Sequence, residues 1–474
     1  MRIKRLHDEL LAQTSYVIGC DAAGLAAVID PTRDVERYIA AAVREKLRIA
    51  VVAETHIHAD FVSGARALAR ATGATLVLSD EGGAEWRYQF ANADGARLVR
   101  HGDAIDVGHV RLTVRHTPGH TPEHIAFVVT DRALTDKPVG LLSGDFIFVG
   151  DVGRPDLLER AAGAEGTMDR LARRLFRSLR ATADLPDHLQ IWPGHGAGSA
   201  CGKALGAMPS STIGYERLIN WAFQISNEDD FVARVLAGQP EPPRYFARMK
   251  SVNRDGPPAA IPDEALAKLD LDAYRHETHR GAVAIDVRSA AEFAAGHIPG
   301  TLNIPVSSSF ATWAGWLVPS DRDIIVLADD PERVAKARYA LMLIGVDRVI
   351  GWCGAHLRAA WRAKCGALPT VESVGVDAVA NGNHRMLIDV RNAAEWSEGH
   401  VPTAAHHFLG DLIERTRNLP RTEPIAVHCQ GGTRSAIAAS LLQAEGFTNV
   451  VNVRGGFRAW QDAKLPVVPG SACG

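Results

Sequence analysis

Two histidines and an aspartate, His56, His58 and Asp60, stand close together directly after the apolar run Ile49–Ala53. Imidazole nitrogens and carboxylate oxygens are ligands for divalent transition metals. They converge on one ion only if the backbone turns beneath them, and a strand running into a loop permits that. Three further pieces of the same character follow: His120 in Thr117-Pro-Gly-His-Thr121, Asp145 in Ser143-Gly-Asp-Phe146, and His195 in Trp192-Pro-Gly-His-Gly196. Each has a glycine beside it, which lets backbone approach a small site. His101, His109, His116 and His124 lack such a setting and are given no role. A face of His56, His120 and Asp145 has the two-histidine, one-carboxylate composition that suits non-haem ferrous iron and oxygen chemistry, although zinc accepts the same donors.

A second candidate lies near the end of the chain, in Ile425-Ala-Val-His-Cys-Gln-Gly-Gly-Thr-Arg-Ser435. An apolar strand delivers Cys429 into a short loop that opens the helical run Ala436–Gln443. Backbone N–H groups from Gln430 to Ser435, together with the helix N-terminus, stabilise an anion and so favour a thiolate or persulfide on the sulfur. Gln430, Gly431, Gly432 and Thr433 are expected to form this cradle. Gly431 and Gly432 allow its unusual backbone, and Arg434 adds positive charge.

These residues need elements to hold them. Ala26–Asp30, Ile49–Ala53, Val110–Val114, Ile125–Val129 and Gly140–Ser143 read as strands, and Val35–Lys46 has helical spacing. This is an α/β pattern with the ligand types just past strand ends, where such folds keep their sites. Proline pairs at Pro242-Pro243 and Pro257-Pro258 mark Glu241–Pro262 as a linker. Beyond it the sequence repeats: Ala284–Gly300 matches Leu387–Thr403, Ile324–Ala328 matches Ile425–Cys429, and Arg348–Gly354 matches Asn449–Gly455. A second joint falls near Leu368-Pro369. The expected domains are 1–250, 262–367 and 370–474. In the first repeat Ala328 stands where the second has Cys429, and Asp329-Asp330 follow; that copy has no thiol and is read as inactive and structural. Cys353, opposite Val453, is expected in the core.

The 474 residues allow two to four domains. With 46% hydrophobic and 23% charged residues, the composition is that of folded domains rather than long disorder. A formal net charge of -3 provides no global field for nucleic acid or an anionic membrane. Six cysteines without a CxxC pair are too few for a disulfide scaffold of this size and suit a reducing compartment. No apolar run reaches membrane-spanning length, and residues 1–11 lack a signal-peptide core, so a cytoplasmic location is expected.

Four motifs carry a resemblance: Glu54–Gly64, Thr117–His124, Gly144–Leu157 and Trp192–Gly202. Residues 1 to about 215 resemble the persulfide dioxygenase branch of the metallo-β-lactamase superfamily, in the form fused to rhodanese domains, and the two repeats resemble rhodanese domains. The resemblance implies an N-terminal αββα sandwich followed by two rhodanese-type α/β domains, with a CxxxxR loop active only in the last. It implies one Fe(II) per chain on His56, His120 and Asp145, with His58, Asp60 and His195 orienting ligands and substrate. Dinuclear hydrolases of the superfamily read HxHxDH; here the last position is Phe61, which cannot ligate. The activity implied is oxidation of a low-molecular-weight persulfide, such as glutathione persulfide, by O2 to sulfite and thiol. Sulfur transfer through a Cys429 persulfide would link sulfite and thiosulfate. Arg154 is the candidate to meet substrate charge, with an ion pair to Asp156 or Asp151 as its structural alternative, and Thr121 and Cys201 are further candidates to contact the substrate. A homodimer or tetramer is expected. The rival reading is a dinuclear zinc thioester hydrolase of the glyoxalase II type carrying accessory rhodanese domains.

Overall fold

Side-chain alternation along the strands sets the layering of the first part of the chain. The computed structural model describes residues 1–163, 165–203, 205–258, 265–382 and 386–470. Cys473 and the last residues of the proline-bearing stretch, 259–262, lie outside the described residues. In the strand Leu25–Ile29, Ala27 and Ile29 enter one core while Ala26 and Val28 enter another. The same division recurs in Ile125–Asp131, where Ile125, Phe127 and Val129 face one way and Ala126 the other. Successive residues of a strand point to opposite faces, so strands apolar on both faces must be covered twice.

Two six-stranded sheets provide the inner layers. The first runs in chain order from Arg2–Asp8 through Gln13–Cys20, Leu25–Ile29, Arg48–Ala53 and Thr75–Ser79 to Arg97–Val99. The second runs Ser211–Thr212, Gln190–Pro193, Gly140–Gly144, Ile125–Asp131, Val110–His116, Ala104–Val107. Tyr16, Ile18 and Val77 of one sheet share a core with Leu112, Phe127 and Trp192 of the other. On the outer faces, helices Val35–Arg44 and Ala65–Thr72 cover the first sheet through Tyr38, Ala42, Leu68 and Ala69. Helices Thr167–Arg180 and Glu228–Leu236 cover the second through Leu175, Leu179, Phe231 and Val235. The result is an αββα sandwich. The proline-flanked stretch expected to be a linker contains a helix, Phe246–Asp255, which buries Phe246, Met249 and Asn253. Prolines on both sides of it punctuate a helix rather than exclude one.

Contacts divide the chain into two units, residues 1–262 with 342–345, and residues 263–341 with 346–474. The second unit holds two parallel sheets of like topology. One is ordered Leu302–Asn303, Val283–Asp286, Ile324–Leu327, Val349–Cys353. The other is ordered Glu372–Val374, Val450–Val453, Ile425–His428, Met386–Asp389, Ala404–His406. An isolated parallel bridge from Lys268 to Trp352 takes the place of the extra edge strand in the first copy. Cys353 is fully buried. Among the described residues no helix is long and apolar enough to cross a membrane.

Candidate functional site

Four strand ends supply the first site. His56, His58 and Asp60 follow Arg48–Ala53; His120 lies between Val110–His116 and Ile125–Asp131; Asp145 follows Gly140–Gly144; His195 follows Gln190–Pro193. Ligand atoms of His56, His120 and Asp145 all lie within 4.8 Å of one another, and all three residues are buried. His56 Nε2 and Asp145 Oδ2 are buried without a hydrogen-bond partner among the described residues. Unsatisfied buried polar atoms are costly, so two of them facing one point indicate a missing partner. A divalent ion fits that description.

The tautomers agree with this. His120 Nδ1 donates to the Arg154 carbonyl at 3.0 Å, which leaves Nε2 its lone pair. Burial, with the neighbouring His58, His120 and His124, holds His56 well below the ordinary imidazole range, so it is neutral and able to ligate. Burial likewise lowers His120. Burial opposes ionisation of Asp145, but the charge of His195 and its hydrogen bond outweigh it and keep the carboxyl far below the usual range. Gly194 approaches so closely that a Cβ there would lie 2.8 Å from Asp145 Oδ1.

His58, Asp60 and His195 surround this group without joining it. His58 turns to Asp30, with Nε2 3.3 Å from Oδ1, and its ring packs 4.3 Å from that of Phe61. Despite burial, Asp30, Glu54 and Asp60 raise His58 to about 9. His195 bridges Asp60 and Asp145. Burial works against its charge, but the two carboxylates raise it well above the ordinary range. Asp60, His195 and Cys201 form a second buried group whose ligand atoms lie within 4.8 Å of one another. Burial first, then Asp60 and Asp145, lift the Cys201 thiol well above its usual range, so it stays protonated.

A cavity opens on His120 and is lined by Ile57, Ala59, Trp86, Thr121, Leu157, Phe246 and Lys250 among others. Among the described residues Thr121 Oγ1 has no hydrogen-bond partner within normal geometry, and Lys250 Nζ sits 3.8 Å over the Trp86 ring. Arg154 is a correction to the expectation that it meets substrate charge. It is fully buried, Nε and Nη2 bind both Asp156 oxygens at 2.8 and 2.7 Å, and the remaining donors reach the Ala200 and Pro240 carbonyls. The guanidinium is consumed by structure.

Sequence reasoning passed over His124, Asp30 and Glu123. His124 Nε2 accepts the Asp145 N–H at 3.0 Å, and its Nδ1 lies 2.8 Å from Thr117 Oγ1. The signal was available in the Thr117–His124 motif, which ends on that histidine. Glu123 Oε1 accepts the Ile57 N–H at 2.8 Å. Asp30 carried no motif.

In the second unit, Cys429 is buried at the end of Ile425–His428, before helix Thr433–Ala444. The Gly432 N–H donates to Sγ at 3.1 Å and Ser435 Oγ lies 3.6 Å from it. Gly432 adopts φ 105°, where a side chain is strained; Gly431 does not need that region. Gln430 turns its Oε1 to Arg391 at 3.3 Å, and Thr433 is exposed. Arg434 closes bidentately on Glu395, at 2.6 Å for both contacts. Arg333 and Glu292 repeat that pair at 2.9 Å in the copy that has Ala328.

Matches to known proteins follow the same division. Residues 8–195 match the family described as the metallo-beta-lactamase superfamily, and residues 267–351 and 376–463 each match the rhodanese-like domain. The chain belongs to the metallo-beta-lactamase superfamily and carries tandem rhodanese-like domains. A crystal structure of a metallo-beta-lactamase from Staphylococcus aureus subsp. aureus COL is 42% identical, with a TM-score of 0.68, and covers 75% of this chain and 99% of that one. The mitochondrial persulfide dioxygenase ETHE1 of Bos taurus is 27% identical over 218 residues, 45% of this chain and 73% of the relative. A hydroxyacylglutathione hydrolase of Rhodospirillum rubrum is 31% identical over 180 residues, 38% of this chain. The chain spans 60% and 54% of the lengths of the first curated relatives it matches.

Proposed function

We propose that this chain is a persulfide dioxygenase joined to a sulfurtransferase. The observation that carries the reading is the donor set: His56 Nε2 and Asp145 Oδ2 unpartnered beside His120, with His58 drawn to Asp30 and Phe61 in place of a further ligand. A two-histidine, one-carboxylate face leaves coordination positions open, the arrangement of ferrous oxygenases. One Fe(II) bound there would supply a shared point for a persulfide and O2, making their reaction effectively intramolecular.

The chain's own residues do the rest. Ile57, Trp86, Leu157 and Phe246 exclude water from the cavity beside His120 and pack against the organic part of the persulfide. Thr121 Oγ1 offers it a hydrogen bond, and Lys250 an attractive charge at the wall. His195, a buried cation, keeps Asp145 ionised. The balanced reaction takes RSSH, O2 and H2O to RSH and sulfurous acid, which ionises to sulfite. At Cys429 a persulfide passes its outer sulfur to sulfite: the Cys–S to sulfur bond breaks, the sulfur–sulfite bond forms, and Cys429 leaves as thiolate beside the Gly432 N–H.

A second reading, a dinuclear zinc thioester hydrolase of the glyoxalase II type, is favoured by the group of Asp60, His195 and Cys201. An oxygen electrode separates the two. Anaerobically iron-loaded chain is given glutathione persulfide while sulfite and thiosulfate are quantified, for wild type, Asp145→Ala and Cys429→Ser. Persulfide-dependent oxygen uptake that Asp145→Ala abolishes and Cys429→Ser spares supports the dioxygenase. Thioester turnover with two zincs per chain and no oxygen uptake refutes it.

A further inference from the structure

We infer that Asp30, which is not itself a ligand, fixes His56 in the tautomer that can bind the ion, acting through Thr55; this rests on the ferrous reading above. Asp30 follows the strand Leu25–Ile29 with a left-handed backbone, φ 51°. Aspartate tolerates that conformation better than most residues, and here backbone and side-chain hydrogen bonds hold it. The Asp30 N–H donates to the Ala53 carbonyl at 2.9 Å, and its own carbonyl accepts from Ser15 Oγ at 2.7 Å and Gln13 Nε2 at 2.9 Å.

The buried carboxylate thus has one orientation, and it uses both oxygens on the metal loop. Oδ1 accepts the Thr55 N–H at 2.7 Å and Oδ2 accepts the Thr55 hydroxyl at 2.9 Å. A hydroxyl has a single proton and a carboxylate has none to give. Thr55 therefore spends its proton on Asp30, and its oxygen can only accept from His56 Nδ1, 2.9 Å away. Nδ1 carries the hydrogen, and Nε2 keeps the lone pair that faces the ion position. His120 reaches the same state from a backbone carbonyl. Asp30 Oδ1 also holds His58 Nε2 at 3.3 Å, away from the three ligands. Asp30 is a positioning residue for two imidazoles at once.

The test uses the full chain under anaerobic conditions. Asp30→Asn keeps the shape but sets an amide N–H beside Thr55 Oγ1. The hydroxyl is then free to donate to His56 Nδ1, which moves the hydrogen to Nε2 and blocks ligation. Thr55→Val removes the relay and Thr55→Ser keeps it. Ferrous affinity is measured by chelator competition, with the d–d spectrum of cobalt-substituted chain as a second readout. Residues orienting a metal-bound imidazole typically contribute 10–100-fold in affinity, so Asp30→Asn and Thr55→Val are expected to bind about 10–100-fold more weakly, and Thr55→Ser within about 3-fold of wild type. Weaker binding and a changed cobalt spectrum at an unchanged metal-free melting temperature support the relay. Asp30→Asn and Thr55→Val binding like wild type overturn it, as does Thr55→Ser failing like Thr55→Val. The Thr55 pair decides alone if Asp30→Asn does not fold. A wild-type chain that takes up no ferrous ion ends the ferrous reading and this inference with it, whereas normal wild-type uptake with unaffected variants ends this inference only.

Discussion

His195 Nδ1 lies 2.7 Å from Asp145 Oδ1, and that contact leaves Oδ2 as the oxygen available to an ion. The opposite ring nitrogen meets Asp60 at 2.8 Å. Both partners are carboxylates, so both nitrogens donate and the ring is an imidazolium rather than a ligand. Removing one member of a buried charge cluster leaves the others uncompensated. His195→Ala is expected to destabilise the metal-free chain by about 3–5 kcal/mol and to weaken metal binding. Denaturant titration checks it; a loss below about 1 kcal/mol would mean that His195 is not a buried cation in the folded chain.

Arg154 gives a different expectation from a substrate-binding arginine. Its guanidinium is locked on Asp156, and its carbonyl orients His120. Arg154→Lys replaces a planar fork with a point charge and breaks the bidentate geometry. The expected result is a stability loss of about 3 kcal/mol with the persulfide KM unchanged in the folded fraction. A raised KM at wild-type melting temperature would restore the substrate role.

How far the site was legible follows from the kind of signal each residue carries. His120 and Asp145 sit in Gly-flanked motifs and His56 in the HxHxD cluster, all at strand ends, and the family resemblance implied that the three share one ion. Cys429 was readable from the strand, glycines and helix around it, and the lack of a matching thiol in the first copy from Ala328. Asp30 and the helix Phe246–Asp255 were not. Asp30 acts through backbone conformation and a hydroxyl relay, which leave no pattern in one sequence. The helix was hidden by the prolines that bound it, and its Asn253, which binds the His58 and Phe61 carbonyls at 2.8 Å, ties a distant segment to the metal loop. Arg154 stayed open between a substrate clamp and the ion pair with Asp156 that it forms, because the two have the same sequence signature.

The first rhodanese-like copy should not recover activity from a cysteine alone. Asp329 is held bidentately by Arg358 at 2.7 Å, and Asp330 Oδ1 accepts the Glu332 N–H at 2.7 Å where helix Pro331–Leu343 begins. The chain's own carboxylate occupies the helix N-terminus that would stabilise an anionic sulfur. In a Cys429→Ser background, Ala328→Cys is expected to leave sulfur transfer at least about 10³-fold below wild type. Intact-mass detection of a persulfide after thiosulfate treatment is the check; turnover near wild type would show that the acidic loop is no barrier.

Two buried acids contribute to the pH response of the metal-free first unit. Burial pushes Glu123 from its ordinary 4.5 up to about 7, against the bond from the Ile57 N–H, and burial does the same to Glu54 beside Ser63. A carboxyl whose folded value lies above its unfolded one binds its proton more tightly when folded. Its contribution is full below about 4.5, is lost as pH rises toward about 7, and stays lost above that. For Glu123 the loss is roughly 2–3 kcal/mol between those limits. Glu123→Gln removes the titration while keeping an oxygen for the Ile57 N–H. Wild type and variant are therefore expected to have similar urea midpoints at pH 5, and the variant to be the more stable at pH 8. The charges of His58, His195 and Asp145 are common to both chains and cancel in the difference. Parallel pH profiles for the two would mean that Glu123 is ionised in the folded chain and that Lys250, not burial, governs it.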